Sequence, residues 1–391
     1  MRVLQLHNLY KIAGGEDVVV EAERDLLEAN GHDVALLQED NDRITDTLSQ
    51  AIAAVGAIYS PSAKKQVRAE IARFRPDIVH VHNFFPLWSP AVYDACREAG
   101  VPVVQTLHNY RLFCAGAFFF RDGKPCEDCM GKFFPWPGVV HGCYRDSRLG
   151  TAAVAAMQSL HRARGTWQER VDRYIALTEF AREKFIEGGL PAKKILVKPN
   201  FLSPDTGVGE GRGQYALFVG RLSPEKGLST LLAAWEKLGD RLGLKIVGDG
   251  PMQEEVAAAA SKLPRVECLG RQPKERVREL MKNAKILVFC SVWYEGFPMV
   301  LLEAYAVGLP VVASNLGSLS SLVDPDRTGL HFRPGDPDDL AAKVEWALAH
   351  PEDLARMRPE VRAEFEAKYT AAQNYRQLME IYELACSSSS N

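Results

Sequence analysis

The sequence lacks both long apolar segments and a large excess of one charge. No stretch of about 18 consecutive uncharged apolar residues occurs among its 391 residues, which excludes a membrane-spanning helix. The apolar run at the N-terminus is too short for a secretory signal, so we expect a cytoplasmic protein with reduced thiols. The formal net charge of −3 argues against a protein that binds nucleic acid over its whole surface.

Two nucleotide-binding motifs are also missing. The sequence contains no G-x-x-x-x-G-K-[ST] motif, which excludes a P-loop enzyme. Gly248-Asp249-Gly250 begins like a dinucleotide fingerprint, but Gln253 occupies the place of the third glycine. A dehydrogenase is therefore disfavoured.

Charge is distributed unevenly along the chain. Residues 1–56 carry a net charge of −7, residues 57–200 one of +8, and residues 201–391 one of −4. The middle region is a candidate surface for an anionic partner, although solvated Lys/Arg-rich helix faces explain the same excess.

Short apolar runs alternate with longer amphipathic stretches, which is the pattern of parallel sheets covered by helices. The predicted strands are Val3–Leu6, Val34–Leu37, Ile78–Val81, Val103–Leu107, Tyr174–Leu177, Ile195–Lys198, Ala216–Val219, Lys245–Val247, Val266–Leu269, Ile286–Cys290 and Val311–Ala313. Pro199-Asn200 and the glycine-rich run 207–213 interrupt this alternation and predict a domain boundary near residue 200.

The predicted organisation is an α/β protein of two domains with ligands at the carboxyl ends of the strands. The first domain is residues 1–200, with a cysteine-rich insert at about 111–148, and the second is residues 201–365. Residues 366–386 are predicted to form a helix that packs back on the first domain, and residues 387–391 a disordered tail.

Two segments of the second domain carry candidate chemistry. The strand 216–219 leads into Gly220-Arg221, and Lys226 follows five residues later. A planar guanidinium and a point charge above a sheet edge suit a diphosphate. Ordinary surface charge on a loop is the alternative.

The second segment follows the predicted strand Ile286–Cys290. Pro298 suits the first turn of a helix, so the backbone N–H groups from Phe297 to Val300 are free to bind phosphate oxygens. Glu295 precedes this helix and Glu303 lies within it. A carboxylate in so apolar a segment needs a partner, which is either a sugar hydroxyl or a neighbouring Lys or Arg.

These residues together resemble the retaining glycosyltransferases of family 4. The resemblance rests on Glu295-x7-Glu303, on the Gly220-Arg221-x4-Lys226 loop and on the segments 303–312 and 329–336. Gly14-Gly15 after the first strand and Leu107-His108-Asn109 after another agree with it. The resemblance covers nearly the whole chain.

The resemblance implies a GT-B architecture, in which two Rossmann-like domains face each other across a cleft. It implies that Arg221 and Lys226 neutralise the diphosphate, that Glu303 holds the ribose and that Glu295 contacts the transferred sugar. It also implies that His108 lines the reaction centre and that Gly15 approaches the phosphate. The remaining donor-binding positions that it implies are Gly220, Gly270, Arg271, Gly296, Phe297, Pro298, Met299 and Val300.

The function implied is transfer of a hexose, with retention, from a nucleotide-diphosphate sugar to a glycan or lipid-linked acceptor. Synthesis of a cell-surface polysaccharide or glycolipid is the expected setting. Because cations and helix N–H groups can stabilise the leaving diphosphate, catalysis requires no cofactor. Asp336-Pro337-Asp338 has the form of a metal-binding D-x-D but is interpreted as a helix cap. Two alternatives are a nucleotide-sugar epimerase of the same fold and a non-catalytic binding protein.

Four cysteines form a separate candidate site. Cys114, Cys126, Cys129 and Cys143 fall within 30 residues, and Cys126-x2-Cys129 has the spacing at which two thiolates share one metal. A structural zinc held by these four, or with His141 as one ligand, is one interpretation. Free thiols and disulfides are the alternatives.

The first domain also offers features for an acceptor. Basic residues gather at Lys64, Lys65, Arg68, Arg73, Arg75, Arg145, Arg148, Arg162 and Arg164. With the aromatic segment 84–88 they predict a lipid-linked acceptor and a peripheral contact with the inner face of the membrane. Ordinary solvated charge and core aromatics are the alternative. No nucleic-acid partner is expected.

Overall fold

The computed structural model describes residues 1–10 and 14–388 and divides the chain into two compact units. The first unit comprises Met1–Phe119, Cys126–Asn200 and the chain from Asn374 onward. The second comprises Phe120–Pro125 and Phe201–Gln373. None of the helices in the described residues has the length and apolar character needed to cross a membrane.

The first half of the chain builds a parallel six-stranded sheet. Its strands are β1 (Arg2–Leu9), β2 (Asp33–Asp40), β3 (Ile78–Val81), β4 (Val103–Leu107), β7 (Arg173–Ala176) and β8 (Ile195–Val197), and the insert contains a short antiparallel pair, β5 (Phe120–Arg121) and β6 (Lys124–Pro125). The order in the sheet is β2-β1-β3-β4-β7-β8. The chain therefore reverses its direction of winding between β1 and β3, which is where such sheets bind ligands.

Helices connect these strands, and the sequence marks where several of them begin. They are α1 (Gly15–Ala29), α2 (Thr47–Ile58), α3 (Pro61–Phe74), α4 (Ala91–Ala99), α5 (Trp136–His141), α6 (Arg148–Ala163), α7 (Thr166–Glu169) and α8 (Glu179–Glu187). The side chains of Asp46, Ser60 and Ser147 accept a backbone N–H in the first turn of α2, α3 and α6. These caps satisfy N–H groups that have no partner within the helix.

The second unit repeats this architecture with another strand order. Its strands are β9 (Tyr215–Val219), β10 (Gly243–Val247), β11 (Val266–Gly270), β12 (Ile286–Phe289), β13 (Val311–Ser314) and β14 (Gly329–Phe332). They form a parallel sheet in the order β11-β10-β9-β12-β13-β14. The reversal point lies between β9 and β12, so the loops after these two strands flank the expected ligand position.

The remaining helices follow in chain order, and one of them explains an acidic motif. They are α9 (Leu228–Leu238), α10 (Gln253–Ala260), α11 (Lys274–Asn283), α12 (Met299–Ala306), α13 (Leu319–Leu322), α14 (Pro337–Ala349), α15 (Pro351–Lys368) and α16 (Ala371–Ser388). Asp336 Oδ1 accepts the backbone N–H groups of Asp338 and Asp339, each at 3.0 Å. Asp336 is thus a helix cap, as its position in the sequence predicts.

The C-terminal segment differs from its prediction in two ways. Residues 366–386 were predicted as one helix, but α15 ends at Lys368 and α16 begins at Ala371, while the chain joins the first unit from Asn374. The predicted disordered tail 387–391 was wrong for its first two residues, since α16 includes Ser387 and Ser388. Residues 389–391 lie outside the described residues. The strand β14 was not predicted, because its segment was recognised only as part of a longer motif.

Helix α16 packs on the sheet of the first unit. Its buried residues Leu378, Ile381, Tyr382 and Ala385 belong to one apolar cluster. The same cluster contains the strand residues Val3, Ile78, Val104 and Ile175 and the α1 residue Leu27. The last helix therefore covers part of a sheet whose strands come from the first half of the chain.

We expect Leu378→Ala to destabilise the protein by about 2–5 kcal/mol, because Leu378 is fully buried and its truncation leaves a cavity in this cluster. Urea unfolding measures the loss. Glu380→Ala, at an exposed position of the same helix, is the control and is expected to change the free energy of unfolding by less than about 0.5 kcal/mol. Equal effects of the two substitutions would contradict the packing of α16.

Candidate functional site

The loops after β9 and β10 approach each other closely at the carboxyl edge of the second sheet. Gly248 and Gly250 have positive φ values of 143° and 151°. A Cβ atom at these positions would lie 1.9 Å from the carbonyl oxygen of Gly220 and 2.5 Å from that of Leu222. Glycine is needed at positions 248 and 250 because the backbone there contacts the loop that begins at Gly220. The partial G-x-G motif therefore serves backbone packing and is not part of a dinucleotide-binding fingerprint.

The structure pairs Lys226 with Glu295. Lys226 Nζ lies 2.7 Å from Glu295 Oε1, and the same oxygen accepts hydrogen bonds from Ser291 Oγ at 2.5 Å and Trp293 Nε1 at 2.8 Å. The Glu295 residue is only 4% exposed. Within the described residues its second oxygen, Oε2, accepts no hydrogen bond, which leaves it able to accept one from a ligand hydroxyl. The two residues predicted to contact phosphate and sugar are thus held beside each other.

Backbone contacts join the loops after β9 and β12. Val292 N donates to Glu225 O at 2.9 Å, and Cys290 Sγ donates to Lys226 O at 3.1 Å. A Cβ atom on Gly227 would lie 1.9 Å from the carbonyl oxygen of Cys290. Glycine at position 227 therefore allows the Lys226 loop to lie against the loop that carries Glu295.

Two other predicted cations of this unit are exposed. Arg221 makes no ion pair or side-chain hydrogen bond with any of the described residues. Arg271 is 82% exposed and lies 4.0 Å from the Asp249 carboxylate. The carbonyl of its neighbour Gly270 accepts a hydrogen bond from Gly248 N at 3.0 Å. Arg221 is therefore the cation at this edge that is available to an anion without breaking an ion pair.

The start of α12 presents unused donors. The backbone N–H groups of Gly296, Phe297, Met299 and Val300 donate no hydrogen bond within the described residues, whereas Leu301 N donates to Pro298 O at 3.0 Å. The Phe297 ring packs against Tyr369, with ring centroids 5.8 Å apart. An apolar anchor thus holds a segment whose N–H groups can bind phosphate oxygens.

Glu303 lies on α12 with no partner in the described part of the chain, where it makes neither an ion pair nor a hydrogen bond. Burial raises its pKa, and the positive charges of Arg278 and Lys274 only partly oppose this shift. The alternative that a neighbouring Lys or Arg pairs with Glu303 therefore receives no support. A largely buried carboxyl group without a partner is better stabilised when it hydrogen-bonds to a hydroxyl of a ligand.

In the first unit, His108 follows β4 and contacts a second histidine. Its Nε2 lies 3.2 Å from His82 Nδ1, and the two rings stack with centroids 5.5 Å apart. Burial lowers the pKa of His108 well below its usual range, so its ring is neutral near pH 7. Gly15 begins α1 and is exposed, and residues 11–13 just before this helix lie outside the described residues.

Behind His108 lies a buried polar cluster that the sequence analysis missed. Glu23 Oε1 lies 3.0 Å from His80 Nδ1 and 3.3 Å from His82 Nε2, and Glu23 Oε2 lies 3.3 Å from Lys198 Nζ. The Glu23 and Lys198 side chains are 1% and 2% exposed. Burial alone would raise the pKa of Glu23, but His80 and Lys198 hold it well below the usual range. Glu23 is therefore an ionised carboxylate inside the first unit.

A signal for this cluster was present in the sequence. His80 and His82 alternate along an apolar strand and so share one face of it. Glu23 occupies the buried face of α1, between Val20 and Leu27. Acidic and imidazole side chains on two apolar faces indicate a shared polar cluster, although only the fold brings Lys198 to it.

The four clustered cysteines are partly buried in the insert. The thiol of Cys129 interacts with those of Cys114, Cys143 and Cys126, and burial together with these neighbours raises its pKa to about 11. His141 is exposed at the end of α5. The structure thus brings the four predicted cysteines into one neighbourhood.

The two parallel sheets covered by helices define an α/β protein of two Rossmann-like units, which is the fold of GT-B proteins. Residues 13–206 match the model of Glycosyltransferase Family 4, and residues 208–364 match that of the Glycosyl transferases group 1. The chain therefore belongs to the GT-B glycosyltransferases that these two models describe.

Curated relatives agree with this assignment over part of their length. A sulfoquinovosyl transferase of Arabidopsis thaliana is 25% identical over 72% of this chain and 52% of its own. An uncharacterized glycosyltransferase of Methanocaldococcus jannaschii is 28% identical over 54% of this chain and 59% of its own. The matches span about half of these relatives.

Solved structures confirm the predicted GT-B fold. The Anabaena HepE structure in complex with UDP superposes with a TM-score of 0.70 at 18% identity, covering 97% of this chain and 99% of that one. Sucrose-phosphate synthase from Thermosynechococcus elongatus gives a TM-score of 0.71 at 17% identity, covering 98% of both chains.

We expect Glu303→Gln to stabilise the ligand-free protein at pH 8. The raised pKa means that the folded state holds a proton that the unfolded state has released, so stability falls as pH rises above the ordinary glutamate pKa of 4.5. Glutamine removes this loss, and the difference from the unsubstituted protein should shrink as pH falls towards 4.5. Urea unfolding at several pH values measures it, with the exposed Glu255→Gln as control. No gain at pH 8 would show that Glu303 has a partner.

Proposed function

We propose that the protein is a retaining hexosyltransferase that uses a nucleotide-diphosphate sugar and acts on a glycan or lipid-linked acceptor. The observation that carries the proposal is the edge between β9 and β12. There, in the described part of the chain, a cation without an ion pair, helix N–H groups without acceptors and two carboxylates with unused oxygens lie on loops that hydrogen bonds and glycine contacts hold together. Such a set matches the phosphates, the ribose and the sugar of one donor molecule.

Each donor group has a residue of suitable chemistry. Arg221 and the N–H groups at the start of α12 suit the diphosphate, because both are preorganised donors to negative charge. Glu303 suits the ribose hydroxyls. The free oxygen of Glu295 suits a hydroxyl of the transferred sugar, while Lys226, which already pairs with Glu295, can share its charge with a phosphate.

The proposed reaction transfers the sugar to an acceptor hydroxyl on the face from which the diphosphate departs. The bond between the anomeric carbon and the phosphate oxygen breaks, the acceptor oxygen bonds to that carbon, and the leaving phosphate takes the acceptor proton. Cations and N–H groups aimed at the departing phosphate stabilise the negative charge that develops on it. His108, neutral because it is buried, can donate or accept a hydrogen bond at the sugar without adding charge.

The names of two further relatives support a role in polysaccharide or glycolipid synthesis. One is an amylovoran biosynthesis glycosyltransferase of Erwinia amylovora, at 28% identity over 54% of this chain, and one is a D-rhamnosyltransferase of Pseudomonas aeruginosa, at 33% identity over 40%. HepE was solved with UDP-glucose. These names favour polysaccharide or glycolipid synthesis from a nucleotide sugar.

A lipid-linked acceptor is supported by the apolar surface of the first unit. Leu48, Ile52 and Val55 are 71%, 63% and 70% exposed and lie on one face of α2. A cavity of about 170 Å³ is lined by residues of α2 and α6 and also by Phe85 and Arg145. An apolar cavity beside an arginine suits an acyl or prenyl chain that carries a phosphate.

We expect a nucleoside diphosphate to raise the unfolding temperature of the protein, in the presence of EDTA as well as in its absence. A ligand at 100 times its Kd stabilises by about 2.7 kcal/mol. Arg221→Ala should weaken this binding roughly 10- to 100-fold, because it removes a charge-assisted hydrogen bond. Arg241→Ala, which removes a cation paired with Glu345 outside the site, is the matched control. Titrations with UDP, GDP and ADP measure each Kd.

The outcomes separate the alternatives. No stabilisation by any of the three nucleotides would contradict the proposal and favour a non-catalytic protein. Product analysis by NMR then distinguishes the two enzymes. A transferred sugar with the anomeric configuration of the donor supports the proposal, whereas an epimerised sugar formed without an acceptor overturns it.

We expect the protein to float with vesicles of anionic lipid at low salt. Replacing both Leu48 and Ile52 by serine should reduce the bound fraction roughly tenfold or more, because two apolar side chains no longer enter the lipid. Val208→Ser, at a 58% exposed position of the second unit, is the control. Unsubstituted protein that stays in solution under these conditions would refute the membrane contact and leave the donor site untouched.

A further inference from the structure

The insert after His108 has little regular structure and a small core of its own. Between residues 111 and 148 it contains the two-residue strands β5 and β6 and the six-residue helix α5. Several of its aromatic side chains are exposed, namely Phe118 (51%), Phe133 (61%), Phe134 (42%) and Trp136 (56%). The insert buries Leu112, Ala115, Ala117 and Phe119, and a core of this size is stabilised further by another source of order.

Two glycines show how the cysteines of this insert gather. A Cβ atom on Gly116 would lie 3.8 Å from Cys114 Sγ, 3.8 Å from Cys143 Cβ and 3.1 Å from Cys143 O. A Cβ atom on Gly138 would lie 3.4 Å from Cys129 Sγ, and Gly138 O accepts the backbone N–H of Cys143 at 3.0 Å. Cys143 thus lies next to Cys114, and its backbone is hydrogen-bonded to Gly138, which lies next to Cys129.

The fourth cysteine enters through the Cys126-x2-Cys129 segment. Its turn is closed by a hydrogen bond from Met130 N to Glu127 O at 2.8 Å, and Cys126 N donates to Phe119 O at 2.8 Å. Glu127 in this turn pairs with Lys184, whose Nζ lies 2.9 Å from its carboxylate, so the positive charge of Lys184 is neutralised by Glu127. The four cysteines thus come from three separate stretches of the insert that lie near one another.

We propose that Cys114, Cys126, Cys129 and Cys143 bind a zinc ion that holds the insert together. Four sulfur ligands without an open position define a closed tetrahedral site, and zinc is the redox-inactive metal that soft thiolates select. On binding, each thiol gives its proton to solvent and the sulfur bonds to the metal. This inference does not depend on the proposed glycosyl transfer.

Another group must be weighed against it. In the described part of the chain, Glu23, His80 and His82 are the residues whose ligand atoms all lie within 4.8 Å of one another. Lys198 already neutralises Glu23, and both ring nitrogens of His80 are hydrogen-bonded, one to Tyr382 and one to Thr106, at 2.8 Å each. A metal there would break these bonds. The cysteine sulfurs are farther apart, so zinc would draw them to the separation of about 3.8 Å that a tetrahedral site requires.

The metal would also order a wall of the apolar cavity. Arg111 lies over the rings of Phe85 and Tyr144, at 4.6 and 5.1 Å from their centroids. Tyr144 directly follows Cys143, and Phe85 and Tyr144 both line the cavity beside α2 and α6. The zinc ligands therefore lie next to the residues that shape the proposed acceptor pocket.

Metal analysis of the protein purified without chelator tests the proposal, and about one zinc per chain is expected. Cys129→Ser and Cys143→Ser should each lose most of it, whereas Cys268→Ser, outside the insert, should retain it. Cobalt exchanged into the site should give the charge-transfer absorption of thiolate ligands, and this band should disappear in Cys143→Ser.

A second measurement covers variants that fail to fold. In the unsubstituted protein, four thiols should resist alkylation until zinc is removed by a chelator, and adding zinc back should protect them again. Zinc below a few tenths per chain, or zinc retained by both serine variants, would overturn the proposal. Four thiols that become alkylatable only after a reductant is added would assign disulfides instead.

Discussion

The contact between the loops after β9 and β12 is the constraint on which the proposed donor site depends. Lys226 and Glu295 come from opposite sides of the reversal point, and their 2.7 Å ion pair fixes both loops. Gly227 lets the first loop lie against Cys290, and a single carboxylate oxygen of Glu295 takes all three donors around it. Within the described residues the other oxygen accepts no hydrogen bond. The contact that holds the two loops together therefore leaves this oxygen able to accept a hydrogen bond from the proposed sugar donor.

The two units differ in whether the charged groups at their sheet edges are exposed or buried. The second unit displays charge: Arg221 is exposed and unpaired among the described residues, and α12 presents free N–H groups. The first unit buries charge: Glu23 is compensated by Lys198 and lies beside His80 and His82, and burial keeps His108 neutral. Removing one partner of such a buried pair costs several kcal/mol, so this cluster constrains β3, α1 and the residue after β8 together. His108 contacts this cluster through His82, which orients its neutral ring.

The cysteine insert and α2 belong to the first half of the chain but contribute no strand to its six-stranded sheet. Tyr144 and Arg145 of the insert line the apolar cavity together with Ala53, Ala54 and Ala57 of α2. A metal-held insert, a cation and an amphipathic helix would together form a surface for an acceptor with a lipid chain and a phosphate.

The two α/β halves were predictable from the sequence, because short apolar runs that alternate with amphipathic stretches are typical of parallel sheets covered by helices. The sequence also determined Arg221, Glu303 and the four cysteines as candidate groups, because their residue types and spacing are local properties. The fold was needed to show that Lys226 pairs with Glu295 and that Gly248 and Gly250 allow close backbone packing. It was also needed to show that Lys198 contacts Glu23, 175 residues away in the sequence. The break between α15 and α16 was not predicted either, since the buried Tyr369 continues the apolar pattern of the helix across it. Contacts between distant segments depend on strand order, and no local pattern specifies that order.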